Sequence, residues 1–321
     1  MAVATGNGGA ASPLVSVVIC TYNRSRSLGE TLEALSAQHA DGFDYEVVVV
    51  DNNSSDDTRA VVDAAQGRFG GRLRYVFEPR QGKPYALNTG VAAARGDVLA
   101  LTDDDVKPDP RWLSRLAGTM QACRADCVYG KILPRWMGDR PAWLSAWFLP
   151  QLALLDYGEE AFLATSDKHL FYGANVALTK AALAEVGPFN VRLGNRGTRM
   201  GGEEDTDLFN RLLTAGRRIA YAPDAVVYHA VPAERLRLGY FRQWHFDHGA
   251  ALAHVTPCER GRGLFGIPFW SVREGLVHLR GYLMGLCTGD AEGRLRHGMK
   301  LLCDLGFFTE KLKIAAGGAR P

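Results

Sequence analysis

The chain has 321 residues, of which 47% are hydrophobic and 22% are charged, and its formal net charge is +2. This is the composition of a globular protein with one large or two modest domains. The near-neutral charge argues against nucleic acid as a partner. The charge is uneven, because residues 230–321 carry 13 Lys and Arg against 8 Asp and Glu.

The cysteines and the N-terminus favour a cytoplasmic protein. The six cysteines show neither a disulfide-framework spacing nor the paired spacing of a zinc site, which predicts free thiols in a reducing cytosol. Residues 1–12 lack a basic start and a long apolar core, so we expect a disordered lead-in rather than a signal peptide. We also find none of the uninterrupted apolar runs of roughly 18 residues that predict a membrane-spanning helix.

Strands and helices alternate in the predicted elements that follow. Four apolar runs predict strands over residues 14–20, 45–50, 72–77 and 97–102. The intervening patterns predict helices over residues 27–38, 57–66 and 82–95. This repetition favours right-handed βαβ units, and therefore an α/β fold with a mostly parallel sheet flanked by helices.

Polar residues follow three of these strands. Thr21, Asp51 and the triple aspartate 103–105 each come where an apolar run stops. Ligands bind beyond the carboxyl ends of the strands in such sheets, so we expect these residues to share one pocket. The glycine-rich fingerprints of dinucleotide and P-loop sites are missing after the first strand, which leaves the phosphates to be held in another way.

The triple aspartate predicts a metal site. Three adjacent carboxylates repel one another unless a cation neutralises them, and alternation along a strand puts Asp103 and Asp105 on one face. Two carboxylates suit Mg²⁺ or Mn²⁺, which complete their coordination with water and substrate phosphates. The alternative is a solvated acidic turn.

Residues 233–321 form a basic C-terminal region, and residues 234–315 are predicted to be helical. Helices that combine basic and aromatic residues can lie in a membrane interface. The alternative is a helical cap on the preceding domain, or a dimer surface.

Several segments, taken in order over residues 14–230, resemble family 2 glycosyltransferases of the GT-A fold. They are residues 15–24, 49–56, 86–90, 96–105, 173–175, 186–189 and 202–208. The resemblance implies a catalytic domain over residues 13–232. Its nucleotide-sugar half spans residues 13–106, and its acceptor half spans residues 107–232.

The resemblance also implies roles for individual residues on the donor side. Contacts to a nucleoside diphosphate sugar fall on Thr21, Tyr22, Arg24, Asp51, Lys83, Asn88, Asp103 and Asp104. The metal ligands fall on Asp103, Asp105 and His229, where His229 is expected at the end of a strand. For Lys83, a solvated lysine at a helix start is the alternative.

The resemblance further implies that the catalytic base falls on Asp205, with Glu204 beside it on the acceptor hydroxyls. The extra glutamate leaves the register ambiguous, so Glu204 is the alternative base, and helix capping by these carboxylates is the structural alternative. Asn175 and Trp143 are expected to bind acceptor. The aromatic residues of segment 133–172 could form an acceptor platform or a core insertion.

One base without an enzyme nucleophile implies single displacement with inversion. The predicted function is transfer of one sugar from a nucleoside diphosphate sugar, with UDP expected, to a glycan, lipid-linked or small-molecule hydroxyl. A protein that binds nucleotide sugars or carbohydrates without catalysis is one alternative. A sugar-1-phosphate nucleotidyltransferase is the other, although the glycine-rich loop that it needs is missing.

Overall fold

The computed structural model describes residues 14–40, 42–194, 202–258 and 262–317, so the lead-in expected at residues 1–12 lies outside the described residues. The strands are β1 (Leu14–Thr21), β2 (Asp44–Asp51), β3 (Leu73–Phe77), β4 (Val98–Asp103), β5 (Val106–Pro108), β6 (Cys127–Trp136), β7 (Phe162–Leu163), β8 (Val176–Thr179), β9 (Ile219–Val231), β10 (Gly263–Leu264) and β11 (Ile267–Pro268). The α-helices are α1 (Ser25–Ser36), α2 (Thr58–Phe69), α3 (Lys83–Ala93), α4 (Trp112–Cys123), α5 (Lys180–Val186), α6 (Glu204–Thr214), α7 (Leu238–Val255), α8 (Phe269–Thr288) and α9 (Ala291–Ala315).

A large mixed sheet organises the fold. Within the described ranges its strand order is β3-β2-β1-β4-β8-β6-β9-β5, and β7 pairs with β9. Strands β1 to β4, β6 and β9 run in one direction, whereas β5, β7 and β8 run against them. The predicted mostly parallel α/β sheet is confirmed, and the elements predicted over residues 14–102 begin and end within three residues of the observed bounds.

The register of the sheet brings the polar strand ends together. Thr21, the last residue of β1, lies opposite Asp51, the last residue of β2. Cys20 on β1 lies opposite Asp103, the last residue of β4. The preceding Val and Leu residues of these strands are buried between helices, which fixes the position of this rim.

The C-terminal region is mostly helical, as predicted, and contains α7, α8 and α9; the short β10–β11 hairpin between α7 and α8 was not predicted. Helix α9 packs against both α7 and α8. Glycines let α7 and α9 approach closely, because a Cβ atom on Gly249 would lie 1.9 Å from the carbonyl oxygen of Cys303. Through the described residues, we find no helix with the length and hydropathy needed to cross a bilayer.

Candidate active site

A cavity of about 570 Å³ opens at the carboxyl ends of β1 and β4. Its wall includes the N-termini of α3 and α6, the segment 150–153 and one side of α7. Ten of the residues proposed from the sequence line it: Thr21, Tyr22, Arg24, Lys83, Asp103, Asp104, Asp105, Glu204, Asp205 and His229. The structure therefore brings the acidic segment after β4 and the acidic start of α6 into one pocket.

Lys83 joins these two acidic segments. Its Nζ lies 3.0 Å from Oδ1 of Asp103 and 3.6 Å from Oε1 of Glu204. Burial would lower the pKa of Lys83, but the carboxylates of Asp103, Asp205 and Glu204 outweigh it and hold that pKa well above its ordinary value. The structure does not favour the alternative of a solvated lysine, since this mostly buried ammonium neutralises the carboxylates of the pocket.

Asp205 is held by a backbone hydrogen bond. The N–H of Gly173 donates to its Oδ2 at 2.8 Å. A Cβ atom on residue 173 would lie 2.8 Å from Oδ1 of Asp205, so glycine permits this approach. Burial, together with the neighbouring charge of Glu204, raises the pKa of Asp205 to about 7, while Lys83 opposes the rise. A carboxylate of this basicity can accept a proton near neutral pH.

Cations surround the carboxylates that follow β4. Arg24 lies 3.1 Å from Asp104 and 2.8 Å from Asp105, while Arg235 lies 3.5 Å from Asp105. Burial raises the pKa of Asp104 to about 6, although Arg24 opposes the shift. Burial would also raise the pKa of Asp105, but the interactions with His229, Arg24 and Arg235 outweigh burial and hold this pKa below its usual range.

The fit of a divalent cation rests on two of these residues. His229 Nε2 lies 3.2 Å from Oδ1 of Asp105, and its Nδ1 is buried with no hydrogen-bond partner among the described residues. Mg²⁺ and Mn²⁺ need only one or two protein ligands when substrate phosphates complete the shell. This carboxylate–imidazole pair therefore fits such an ion.

The predicted three-ligand set is not assembled. In the part of the chain that the structure describes, no three His, Cys, Asp or Glu side chains converge on a metal position. Strand β4 ends at Asp103 and Asp105 lies in a turn, so strand alternation does not extend to Asp105, and Asp103 pairs with Lys83 instead. His229 lies inside β9 rather than at its end, since that strand continues to Val231.

Two residues expected to contact the donor have structural partners. The Asp51 carboxylate accepts hydrogen bonds from the hydroxyl of Tyr75 at 2.7 Å and from the N–H of Ser54 at 2.8 Å. The amide of Asn88 donates to the carbonyl of Phe189 and accepts from its N–H, both at 2.9 Å. Neither Asp51 nor Asn88 lines the cavity, so the structure does not support their predicted donor contacts.

The structure does not support the two acceptor contacts predicted outside α6, because neither Asn175 nor Trp143 lines the cavity. Asn175 is 1% exposed, and its amide accepts from Trp112 Nε1 and donates to the carbonyls of Lys131 and Ala225, each at 2.7 Å. These bonds join β6, α4 and β9, so the residue is structural. Trp143 packs edge-on against Phe148 and Phe241 and does not line the cavity.

Most other aromatic residues of segment 133–172 also pack in the core. Phe148 and Phe171 are buried, and the Tyr157 ring packs against Tyr129 and Tyr221. Tyr172 is the exception among these aromatics, because it lines the cavity. The structure thus favours the core insertion over the acceptor platform.

Sequence reasoning missed a group of residues on the far wall of the cavity. They are Arg235, Tyr240, Trp244 and His248, which lie on α7 or just before it. The rings of Trp244 and His248 stack with centroids 4.7 Å apart, and His248 Nδ1 lies 3.4 Å from Glu203. Gln81, in the loop between β3 and α3, also lines the cavity and was not predicted.

The chain matches a known family over more than half of its length. The model of glycosyl transferase family 2 matches residues 16–187. The succinoglycan biosynthesis protein ExoM of Rhizobium meliloti (strain 1021) is 30% identical over 323 residues, which covers 95% of this chain and 96% of ExoM. The glucosyl-dolichyl phosphate glucuronosyltransferase of Haloferax volcanii is 28% identical over 67% of this chain and 68% of its own. The chain therefore belongs to glycosyl transferase family 2, and it is a glycosyltransferase.

Solved structures share the fold. The mannosyltransferase PcManGT of Pyrobaculum calidifontis, solved with GDP-Man and Mn²⁺, superposes with a TM-score of 0.62 at 20% identity, covering 94% of this chain and 87% of its own. S. aureus TarS residues 1–349, solved with UDP, give a TM-score of 0.53 at 17% identity over 96% and 93% of the two chains. At these identities the likeness shows the GT-A fold alone.

Proposed function

We propose that the protein is an inverting, metal-dependent glycosyltransferase that moves one sugar from a nucleoside diphosphate sugar to an acceptor hydroxyl. The single observation that carries the proposal is that Asp205 shares one cavity with the carboxylates after β4, with a pKa raised to about 7. The GDP-Man complex of PcManGT and the UDP complex of TarS support a nucleoside diphosphate sugar, and UDP is the nucleotide that we favour.

The donor half of the cavity has the charge pattern for this substrate. Thr21 and Tyr22 line the end of β1, where we place the nucleobase and ribose, with Asp103 on the ribose side. Asp105 and His229 would hold Mg²⁺ or Mn²⁺, which would neutralise the negative charge of the departing diphosphate. In the structure Arg24 and Arg235 both pair with Asp105. If Asp105 binds the ion, both guanidinium groups would be free to contact the phosphate oxygens.

Asp205 takes the proton of the acceptor hydroxyl, which attacks the anomeric carbon from the face opposite the diphosphate. Lys83 keeps the surrounding carboxylates from raising the pKa of Asp205 further. Glu204, beside Lys83, is placed to hold acceptor hydroxyls, and it remains the second candidate for the base.

The far wall supplies an acceptor site. Trp244 lines the cavity, and sugars pack their apolar faces on aromatic rings. Glu203 adds a half-buried carboxylate beside His248, and burial raises its pKa. We place a glycan, lipid-linked or small-molecule acceptor between this wall and Asp205.

Two measurements test the proposal. The melting temperature should rise with a matching nucleoside diphosphate sugar among UDP, GDP and dTDP forms, and it should rise further with Mn²⁺ or Mg²⁺. Metal-dependent release of the nucleoside diphosphate should follow with wild type and be lost with Asp105→Ala. A binding protein without catalysis would give the shift without release, and a nucleotidyltransferase would release pyrophosphate from a nucleoside triphosphate.

A further inference from the structure

Helix α8 exposes a long apolar face. Its six members recur at spacings of three and four residues and are between 43% and 62% exposed: Phe269, Val272, Leu276, Leu279, Leu283 and Leu286. They form one continuous stripe along the whole helix. A stripe of this length is far larger than the scattered apolar residues that monomers usually expose.

The opposite side of α8 is already occupied by α9. A Cβ atom on Gly281 would lie 2.4 Å from the ring of His297, and one on Gly285 would lie 2.9 Å from Cβ of Arg294. The two helices therefore meet closely along a narrow line of small residues. The fold fixes the orientation of α8, so the apolar stripe is held outward.

The exposed apolar face of α8 is wider than the contact surface that a single second helix would cover. Trp270, Val277 and Met284 form a further exposed row, and their exposed fractions are 53%, 57% and 53%. At about 100° per residue this row lies beside the stripe, beyond Phe269, so that the apolar arc spans about half of the helix circumference or slightly more. A two-stranded coiled coil would bury the first set and leave this row in water.

Two arginines lie inside the apolar arc. Arg273 and Arg280 project between the stripe and the row just described, and both are exposed. Neither has an ion-pair partner among the described residues. In an antiparallel pair of α8 helices these arginines would face one another, and their like charges would disfavour the pair. At a lipid surface, arginine side chains extend from an apolar face to anionic head groups.

The β10–β11 hairpin adds a second apolar feature at the start of α8. Leu264 and Phe265 are each 63% exposed. Phe265 and Gly266 both have positive φ, of 50° and 75°, which is the two-residue turn that holds a hairpin tip rigidly. A contact between helices does not account for this tip, whereas a lipid interface accommodates it.

We propose that this lipid-docking face, comprising the exposed side of α8 and the hairpin tip at residues 264–265, binds an anionic lipid surface with α8 parallel to it. The apolar side chains enter the acyl boundary, and Arg273 and Arg280 contact the lipid phosphates. The proposal is separate from the transfer chemistry, because none of its residues lines the cavity.

Co-flotation of the full chain with vesicles tests the proposal. Phosphatidylcholine vesicles with about one third phosphatidylglycerol should bind wild type, and pure phosphatidylcholine vesicles should bind it much less. Leu276→Glu combined with Leu283→Glu should lower the partition coefficient about tenfold or more, because charge enters the apolar face. Arg273→Gln combined with Arg280→Gln should remove the preference for anionic vesicles.

The matched control is Met137→Glu combined with Leu163→Glu, which alters two exposed apolar residues elsewhere and should bind as wild type does. Fluorescence of Trp270, taken as the difference from Trp270→Phe, should be quenched by brominated acyl chains. Equal binding to both vesicle types would overturn the proposal, as would a dimer in equilibrium sedimentation that the double Leu→Glu variant dissociates. Nucleotide release by the same variants in detergent-free buffer should be unchanged, which separates this result from the fate of the proposed function.

Discussion

Lys83 Nζ lies 3.0 Å from Oδ1 of Asp103, at the position where the start of α3 meets the end of β4. The same ammonium lies 3.6 Å from Glu204 on α6. One mostly buried cation thus links the donor side of the cavity to the acidic start of α6. The electrostatics of the site depend on this lysine, although it touches neither the proposed metal ligands nor Asp205 directly.

Replacing Lys83 should therefore alter both stability and the pH profile. Lys83→Met leaves Asp103, Glu204 and Asp205 without their shared cation, so we expect a loss of about 1–3 kcal/mol in the free energy of unfolding. The pKa of Asp205 should rise, and the acidic limb of the kcat/KM profile should move to higher pH. Lys107→Met, at an exposed position on β5, is the control and should change neither quantity. An unmoved acidic limb in Lys83→Met would contradict the role of this lysine.

Wild type should lose activity as the pH falls below about 7, because Asp205 must be ionised to accept a proton. The kcat/KM should fall about tenfold for each further pH unit. A flat profile down to the ordinary carboxylate range would show that no raised carboxyl group acts in the free enzyme.

The same raised pKa has a consequence for stability. The folded protein holds the Asp205 proton more tightly than the unfolded chain does, so the ionised residue costs stability above about pH 7 and this cost disappears as the pH falls toward about 4. Asp205→Asn should thus melt at a higher temperature than wild type in alkaline buffer. The difference between the two melting temperatures should become smaller at acidic pH, and thermal melts at several pH values can measure it.

A side chain at residue 173 should displace the base. In Gly173→Ala the new Cβ atom would lie 2.8 Å from Oδ1 of Asp205, so the carboxylate has to move. A displacement of about 1 Å can cost about 10²-fold in kcat, while donor binding should be unaffected. Gly118→Ala in α4 meets nothing within 4 Å and serves as the control. Normal kcat in Gly173→Ala would show that this hydrogen bond does not position the base.

Asn175 should prove to be a stability residue. Asn175→Ala leaves the indole N–H of Trp112 and the carbonyl groups of Lys131 and Ala225 in the core without these hydrogen-bond partners. The free energy of unfolding should fall by about 3 kcal/mol, as denaturant titration can measure. The KM for acceptor should stay near wild type in the folded fraction, whereas a large rise in that KM would restore the acceptor role expected from the sequence.

The polar edge formed by the carboxyl ends of β1, β2 and β4 was predictable, because strand ends can be recognised from the local sequence. Apolar runs that stop at Thr21, Asp51 and the triple aspartate mark strand ends, and parallel strands put such ends on one edge. The register of β1 with β2 and β4 is set by their buried aliphatic residues, so the convergence follows from the apolar pattern.

The remaining contacts depend on tertiary packing. Asn88 and Asn175 are polar residues close in sequence to residues of the site. Their hydrogen-bond partners are backbone groups of distant segments, which the sequence pattern does not predict. The far wall depends on how α7 docks, and that docking is set by the close contact of Gly249 with α9. Composition shows a helix with aromatic residues there, but it does not show which side faces the cavity.

The most direct test of the account compares Asp205→Asn with Asp207→Asn, which lies on the same helix and pairs with Arg211. Donor affinity with Mn²⁺, from calorimetry, and single-turnover transfer should be measured on both variants and on wild type. We expect Asp205→Asn to bind the donor normally and to transfer sugar about 10²–10⁴-fold more slowly, while Asp207→Asn behaves as wild type. Near-normal transfer by Asp205→Asn would contradict the assignment of this residue as the base.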